Sequence, residues 1–152
     1  MDDLQLISHI KGAPALRFFG IGPSYMPVKG LKKLRDLLNQ NAPWANNRSA
    51  KELAKMLKNT DVIVTAWKGQ NLIGFGRATS DQSFRAILWD VVVDKNYQNL
   101  GLGKKIVQTI LNNRSIANVE RVYLMTTFCM EFYLKLGFSY ESNQKLMIFK
   151  QF

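Results

Sequence analysis

The sequence predicts a mixed α/β fold built on one central sheet, and three observations support this prediction. Runs rich in β-branched residues alternate with segments whose apolar residues recur at helical spacing, in the order β-α-α-β-β-β-α-β-α-β-β. Hydrophobic residues make up 47% of the 152 positions, which is enough for a packed core. No internal repeat or linker-like stretch divides the sequence, so we expect a single domain over residues 1–152.

The first third of the sequence predicts one strand and two helices. A strand is expected at residues 15–20, bounded by proline and glycine residues. Leucines at helical spacing predict a first helix over residues 31–41. Ser49 and Glu52 have the spacing of a capping box, which places the start of a second helix that runs to about Asn59.

The remaining sequence predicts six strands and two helices, separated by glycine-rich turns. Three strands are expected at residues 61–67, 71–79 and 84–93. A turn at Gly69-Gln70 joins the first two. The last elements are a helix after Gly101, a strand at 119–125, a helix at 128–136 ended by Gly137 in the C′ position, and a strand pair at 138–141 and 145–149.

Residues 90–104 form the most informative segment of the sequence. A run of three valines at residues 91–93 ends in a charged corner, and Gly101 and Gly103 then open a basic amphipathic helix. Glycines let the backbone approach a ligand closely, and the first N–H groups of a helix point at an anion. The glycine spacing is neither that of a P-loop nor that of a dinucleotide-binding fingerprint. We therefore expect a phosphate-bearing ligand here, the alternative being an ordinary strand-to-helix turn.

Charge and rare residues limit the classes of function. The net charge of +10 indicates an anionic partner, such as a nucleotide cofactor, nucleic acid or an acidic membrane face. The single cysteine, Cys129, excludes an internal disulfide and a cysteine-based metal cluster, and we expect it in the core. The only histidine, His9, lies near an N-terminus that we expect to be loose, so no metal site is predicted. No apolar run reaches the length of a membrane span.

A second constellation lies about thirty residues after the glycines, at residues 131–138. An amphipathic helix with an aromatic core stripe explains Phe132 and Leu136. It explains Tyr133 less well, because a phenol on such a helix needs a polar partner or an open cleft.

Together these two motifs resemble the GCN5-related N-acetyltransferase (GNAT) family. The residues that carry the resemblance are Val93, Tyr97, Gln98, Gly101, Gly103 and Lys104, followed by Phe132, Tyr133, Gly137 and Phe138. Residues 73–81 and 89–94 resemble the cyanobacterial and plastid branch that includes plant chloroplast serotonin N-acetyltransferase. The resemblance implies the GNAT fold, a central mixed and mostly antiparallel sheet of about seven strands with four helices, splayed between the fourth and fifth strands.

The resemblance also implies acetyl-CoA as cosubstrate and a set of site residues. Tyr133 would protonate the departing thiolate. Asp90 is the candidate for accepting the proton of the amine through water, the alternative being a helix cap or an ion-pair acid. The residues expected to bind acetyl-CoA are Val91, Val92, Val93, Gln98, Asn99, Leu100, Gly101, Leu102, Gly103, Lys104 and Thr126. Thr126 and Cys129 stand where the family often has Asn and Ala.

The expected activity is direct attack of a primary amine on acetyl-CoA. The resemblance favours an arylalkylamine such as serotonin or tryptamine as acceptor, with a protein lysine or N-terminus next. Four aromatic residues could line an acceptor slot or belong to the core; they are Tyr25, Trp44, Phe84 and Trp89.

The alternative function is a basic nucleic-acid-binding or regulatory module on a degenerate acetyltransferase scaffold. Its contacts would be basic residues of the first two helices, namely Lys29, Lys32, Lys33, Arg35, Lys51, Lys55 and Lys58. As an acetyltransferase, the protein is expected to be a monomer or homodimer without membrane contact. Its start carries no signal or transit pattern, so we expect a plastid-encoded protein or a cyanobacterial cytoplasmic one.

Overall fold

The computed structural model describes residues 3–9, 11 and 29–151. In this part of the chain, five strands form one sheet in the order β1-β2-β3-β4-β5, in which only β4 and β5 are parallel neighbours. The strands are β1 (Leu4–His9), β2 (Val62–Lys68), β3 (Asn71–Ser80), β4 (Arg85–Val93) and β5 (Arg121–Leu124). The helices are α1 (Gly30–Asn41), α2 (Ala50–Lys58), α3 (Leu102–Leu111) and α4 (Met130–Lys135). The predicted mixed, mostly antiparallel sheet with four helices is confirmed.

Helices cover both faces of the sheet, and β2 shows why. Its alternate side chains point to opposite faces, so Ile63 and Trp67 pack under α1 and α2 while Val64 and Ala66 pack under α3. Both sets are apolar, which is why this strand has a continuous hydrophobic sequence. A Cβ on Gly76 would lie 2.7 Å from Ile106, so the absence of a side chain there lets α3 rest close to the sheet.

Several local predictions agree with the structure. The capping box of α2 is present, since Glu52 N donates to Ser49 Oγ at 3.2 Å and Ser49 N donates to Glu52 Oε2 at 2.8 Å. Gly69 has φ +56° in the turn between β2 and β3. Gly137, with φ +93°, follows α4 in the C′ position.

The expectation of a loose N-terminus is wrong for residues 4–9. They form β1, which pairs antiparallel with β2 from Leu4↔Lys68 to His9↔Ile63. His9 is buried, and its Nε2 lies 2.8 Å from Thr65 Oγ1. The strand escapes sequence reasoning because it is short, and because its pairing with a partner almost sixty residues away stabilises it. The strand predicted at residues 15–20 lies outside the described residues.

The strand pair predicted at 138–141 and 145–149 is also wrong. Residues 138–151 contain no strand, so the described sheet has five strands rather than about seven. Tyr140, Leu146 and Ile148 are exposed. Their apolar alternation has the β propensity that suggested strands, but propensity without a paired backbone ladder does not make a strand.

No helix in the described part of the chain is long and apolar enough to cross a membrane.

Candidate active site

β4 and β5, the last two strands in the order of the described sheet, separate along their length. Their parallel ladder joins only residues 85–88 to residues 121–124. β4 continues to Val93, and on its other side it stays paired with β3 through Val92↔Phe75 and Val93↔Gly74. The last five residues of β4 therefore have one unpaired edge, which can bind an extended chain through main-chain hydrogen bonds. This is the splay expected between the fourth and fifth strands.

A bulge precedes this unpaired edge. Phe75 pairs with Val92 and Arg77 pairs with Trp89, so two residues of β4 stand opposite the single residue Gly76. One of the two, Asp90, has φ +49°, a left-handed conformation that is uncommon for residues other than glycine. Bulges bend a strand and redirect its side chains. Here the bulge sets the direction of Asp90 at the point where β4 leaves β5.

The segment after β4 is a tight turn that leads into α3. Asp94 Oδ1 accepts a hydrogen bond from Asn96 N at 2.8 Å, and a short 3₁₀ turn follows. Gln98 Nε2 donates to Val93 O at 3.0 Å, which holds the turn against the end of β4. Asn99 and Gly101 both have left-handed backbones, with φ +61° and φ +78°.

The start of α3 presents free donors. Lys105 is the first residue whose N–H donates into the helix, to Gly101 O at 3.1 Å. The N–H groups of Leu102, Gly103 and Lys104 precede it and have no acceptor one turn earlier. Together with the positive end of the helix dipole, they favour an anion such as phosphate.

Tyr133 lies on α4, on the same side of the sheet as α3. Its ring packs edge-on against Phe132 at 4.9 Å and Phe138 at 5.7 Å between ring centroids. Burial, and to a lesser extent the nearby Cys129 thiol, raises the pKa of Tyr133 to about 12. Because of this raised pKa, the phenol is protonated at neutral pH. Among the described residues no acceptor pairs with its hydroxyl, so the O–H is free to donate to a ligand.

A cavity of about 320 Å³ adjoins Tyr133. The end of β5, α4 and the segment after α4 line it, and its lining includes Leu124, Thr126 and Tyr140. Thr126 Oγ1 accepts a hydrogen bond from Cys129 N at 3.1 Å. Cys129 itself is exposed, so its predicted place in the core is wrong. The apolar run around it is the approach to α4 and lies at the surface rather than in a strand.

Asp90 is the centre of a second group of side chains, which sequence reasoning did not assemble. Arg77 Nε donates to its Oδ2 at 2.8 Å, Arg48 Nη1 donates to the same oxygen at 3.1 Å, and Trp44 Nε1 donates to Oδ1 at 3.3 Å. The Asp90 side chain is only 5% exposed. Burial alone would raise the pKa of this carboxyl, but Arg77 and then Arg48 outweigh it and hold the pKa below its usual range. A single acid within a hydrophobic strand needs such partners if it is buried. This need was the signal in the sequence that could have predicted positively charged partners for Asp90.

The structure separates the four aromatic candidates for an acceptor slot. Trp44 is 61% exposed and lies beside Asp90. Phe84 is 63% exposed but precedes β4, at the end of the strand remote from the splay. Trp89 donates from Nε1 to Thr79 Oγ1 at 2.9 Å and packs under Arg77, so it is structural. Tyr25 lies outside the described residues.

The predicted site residues fall on two sides of the sheet. Val91 and Val93 pack in the same apolar cluster as Tyr133, on the α3 side. Val92 packs under α1 and α2, the side on which Trp44 and Arg48 meet Asp90. The gap between β4 and β5 lies between these two groups.

Comparison with known proteins gives consistent results. The profile of the Acetyltransferase (GNAT) family matches residues 31–138, more than half of the chain. A protein of Gracilaria tenuistipitata var. liui, named Uncharacterized N-acetyltransferase ycf52, is 31% identical over 143 residues, which cover 90% of this chain and 76% of that one. A Glycine max protein named Histone acetyltransferase TAP1 is 37% identical over 103 residues, covering 60% of this chain and 45% of that one.

A solved structure shares the fold. The GNAT family acetyltransferase of Streptococcus pneumoniae superposes with a TM-score of 0.72 at 20% identity, over 97% of this chain and 98% of that one. The chain spans 55% or less of the length of several curated relatives that it matches.

Proposed function

The chain belongs to the GNAT family of acetyltransferases, and we propose that it moves the acetyl group of acetyl-CoA onto the primary amine of an arylalkylamine such as serotonin or tryptamine. The observation that carries this proposal is the unpaired edge of β4 that leads directly into the free N–H groups of α3. Acetyl-CoA carries an extended thioester arm and a pyrophosphate, and the chain offers a binding surface for each in the matching order.

The proposed binding of acetyl-CoA uses mainly backbone groups. The strand edge formed by Val91, Val92 and Val93 would pair with the amides of the pantetheine arm as an added strand does. The turn from Gln98 to Lys104 would hold the pyrophosphate through its N–H groups, with the Lys104 ammonium adding positive charge. Thr126, which lines the cavity beside Tyr133, would contact the cosubstrate from the β5 side.

Direct transfer balances without a covalent enzyme intermediate. The neutral amine nitrogen attacks the thioester carbonyl carbon, a C–N bond forms, and the C–S bond breaks as the electron pair goes to sulfur. A main-chain N–H near Val92 would hydrogen-bond the carbonyl oxygen as it gains negative charge. The proton lost by the amine leaves through water, the sulfur gains a proton from Tyr133, and the phenolate left behind takes a proton back from water.

The raised pKa of Tyr133 fits its proposed role as the proton donor to sulfur. With a pKa of about 12, the phenol stays protonated throughout the physiological range and is available as a donor. A free thiol has a pKa near 8.5, so complete proton transfer to an exposed thiolate would be uphill. If the sulfur is buried beside Tyr133, burial would raise the pKa of the thiol as well and bring the two groups closer together in acidity.

The role expected for Asp90, accepting the amine proton through water, stays a prediction. Its carboxylate is held by two arginines and its pKa is lowered, and both facts make it a weaker base.

Two features support an arylalkylamine as acceptor. Residues 73–81 and 89–94 resemble the branch that includes plant serotonin N-acetyltransferase, and the exposed ring of Trp44 lies beside the bulge. The soybean relative named as a histone acetyltransferase makes a protein lysine the second candidate. The net charge of +10 disfavours a strongly basic peptide through long-range repulsion, so the small amine ranks first. The branch resemblance also supports a plastid or cyanobacterial location.

The test is release of CoA from acetyl-CoA with serotonin, tryptamine, spermidine and a lysine peptide, for the wild-type protein and Tyr133→Phe. We expect turnover on the aromatic amines and a large loss in the variant. Turnover on the peptide but on no small amine would overturn the choice of acceptor. Turnover that is unchanged in Tyr133→Phe would overturn the assigned acid.

A further inference from the structure

We propose that Asp90 is a positioning residue that holds Trp44 and Arg48 as the acceptor-side wall of the site, and that the exposed face of Trp44 contacts the aromatic ring of the acceptor. This inference rests on the proposed function and names the part of the chain that would select the substrate. It assigns Asp90 a role that requires no proton transfer.

The first step of the argument is the saturation of the carboxylate. Oδ2 accepts from both Arg77 and Arg48, and Oδ1 accepts from Trp44. Arg77 belongs to β3, the neighbouring strand, whereas Trp44 and Arg48 belong to the connection between α1 and α2. Asp90 therefore joins this connection to β4 at the residue where β4 begins to separate from β5.

The second step is the build of the connection itself. Asn47 N donates to Asn39 Oδ1 at 3.1 Å, and Arg48 immediately precedes the capping residue of α2. Ala45 is buried. The connection is therefore fixed to α1 and α2, and two bonds, from Trp44 and Arg48 to Asp90, join it to the sheet. Side chains held on rigid elements present a precise surface to a substrate.

The third step concerns the exposed ring of Trp44. A tryptophan that uses its N–H in a hydrogen bond and leaves 61% of its surface in solvent presents a large flat face in a fixed orientation. Such a face packs well against another aromatic ring. An arylalkylamine carries an aromatic ring, whereas spermidine does not.

The charge of the group points the same way. Two guanidinium groups surround one carboxylate, so this wall carries an excess positive charge. A positive wall lowers the pKa of a nearby acceptor amine and favours the neutral, attacking form. The wall thus assists deprotonation without itself accepting the proton.

The first experiment compares Trp44→Ala with Phe84→Ala, because the two aromatic side chains are almost equally exposed and only Trp44 lies beside Asp90. We expect Trp44→Ala to raise the KM for tryptamine about tenfold, a typical value for losing one aromatic contact. The KM values for spermidine and acetyl-CoA should change less than twofold. Equal losses for tryptamine and spermidine, or an effect of Phe84→Ala as large as that of Trp44→Ala, would overturn the proposal.

The second experiment separates positioning from base catalysis. Arg48→Met removes one cation from Asp90. The control is Arg85→Met, which removes an exposed ion pair with Glu120; Arg85 lies on β4, as Asp90 does. If Asp90 positions Arg48, the KM for tryptamine rises severalfold, the acidic limb of the pH profile of kcat/KM does not move, and Arg48→Lys restores part of the loss. If Asp90 is the base, losing the cation raises its pKa and the acidic limb moves to higher pH, which would overturn the proposal.

A third measurement keeps the inference testable if the wild-type protein acetylates no amine. Thermal unfolding of Trp44→Phe, Asp90→Asn and the double variant, without substrates, measures whether the two side chains act together. We expect the double variant to lose clearly less in Tm than the sum of the single losses. Additive losses would show that Asp90 does not hold Trp44 and would overturn the positioning role, whatever the acceptor.

Discussion

Gly103, in the first turn of α3, lies against the ring of Phe132 on α4. A Cβ built on Gly103 would be 3.3 Å from Phe132 Cζ, which is tighter than an ordinary contact. Tyr133 is the next residue, and its ring packs edge-on against Phe132. The proposed phosphate-binding turn and the proposed acid therefore lie close together, on the face of the sheet that α3 covers.

This contact predicts the effect of Gly103→Ala. The added methyl group must displace the ring of Phe132 by a few tenths of an ångström, and we expect this strain to cancel the gain of about 1 kcal/mol that Gly→Ala usually gives in a helix. Denaturant unfolding measures the change in the free energy of unfolding. In the background of Phe132→Leu the same Gly103→Ala change should be stabilising, whereas an equal effect in both backgrounds would contradict the steric explanation.

Gly101→Glu should abolish binding of acetyl-CoA. The position has open space around it, so the new side chain fits, but its carboxylate would repel the pyrophosphate and the left-handed backbone would be strained. Gly101→Ala is the matched control, because it introduces the same strain without the charge. In calorimetric titration with acetyl-CoA we expect at least a tenfold greater loss of affinity for Glu than for Ala, and equal losses would place the phosphates elsewhere.

Tyr133 should give activity no alkaline limit in the ordinary working range. A group with a pKa of about 12 remains protonated at pH 10, so kcat should show no fall due to this phenol between about pH 7 and pH 10. Tyr133→Phe should lower kcat by about 10²- to 10⁴-fold at every pH in that range, with little change in the KM for acetyl-CoA. A kcat profile that bends near pH 8 in the wild type but not in the variant would contradict the assignment.

The same pKa has a consequence for stability. Because the pKa is raised on folding, the unfolded phenol loses its proton first, from about pH 10. The contribution of Tyr133 is complete below that pH and is lost as the pH rises toward 12. The Tm measured between pH 8 and pH 11 should therefore fall more steeply with pH for the wild type than for Tyr133→Phe. Parallel curves of Tm against pH would contradict the burial of the phenol.

Arg77→Met should destabilise the protein strongly. Among the described residues it leaves the nearly buried Asp90 carboxylate with Arg48 as its only cation, and breaking one side of such a buried pair costs about 3 kcal/mol. Arg85→Met, which removes an exposed ion pair at the start of β4, should cost at most about 1 kcal/mol. Urea unfolding of the two variants compares them, and similar losses would show that burial does not strengthen the Asp90 pair.

Acid should act on the Asp90 pair in a definite direction. The pKa of Asp90 is depressed on folding, so its contribution is present above the unfolded value near 3.9 and is lost as the pH falls through the lower folded value. Between about pH 5 and pH 3 the wild type should therefore lose stability faster than Asp90→Asn. Thermal unfolding across that window provides the measurement, and an identical slope in both proteins would contradict the lowered pKa.

Local patterns determined most of the fold. The capping box of α2, the left-handed Gly69 and Gly137, and the valine run that leads into Gly101 each specify backbone geometry through the nearest few residues, so the sequence alone located these elements. The two glycines at the start of α3 also predicted the proposed phosphate site, and the family resemblance that these motifs carry implied the splayed sheet. These features are short-range, and short-range physics can be read from a short segment.

Tertiary structure decided what depends on distant partners. β1 exists because β2 pairs with it, whereas residues 138–149 have strand-like sequence but no strand to pair with. Cys129 is exposed because its apolar segment lies on the surface approach to α4. Above all, Asp90 acquires its environment from Trp44, Arg48 and Arg77, which lie 13 to 46 residues away in the sequence. Burial and electrostatic pairing belong to the folded arrangement, so no local pattern could have shown what surrounds this carboxylate.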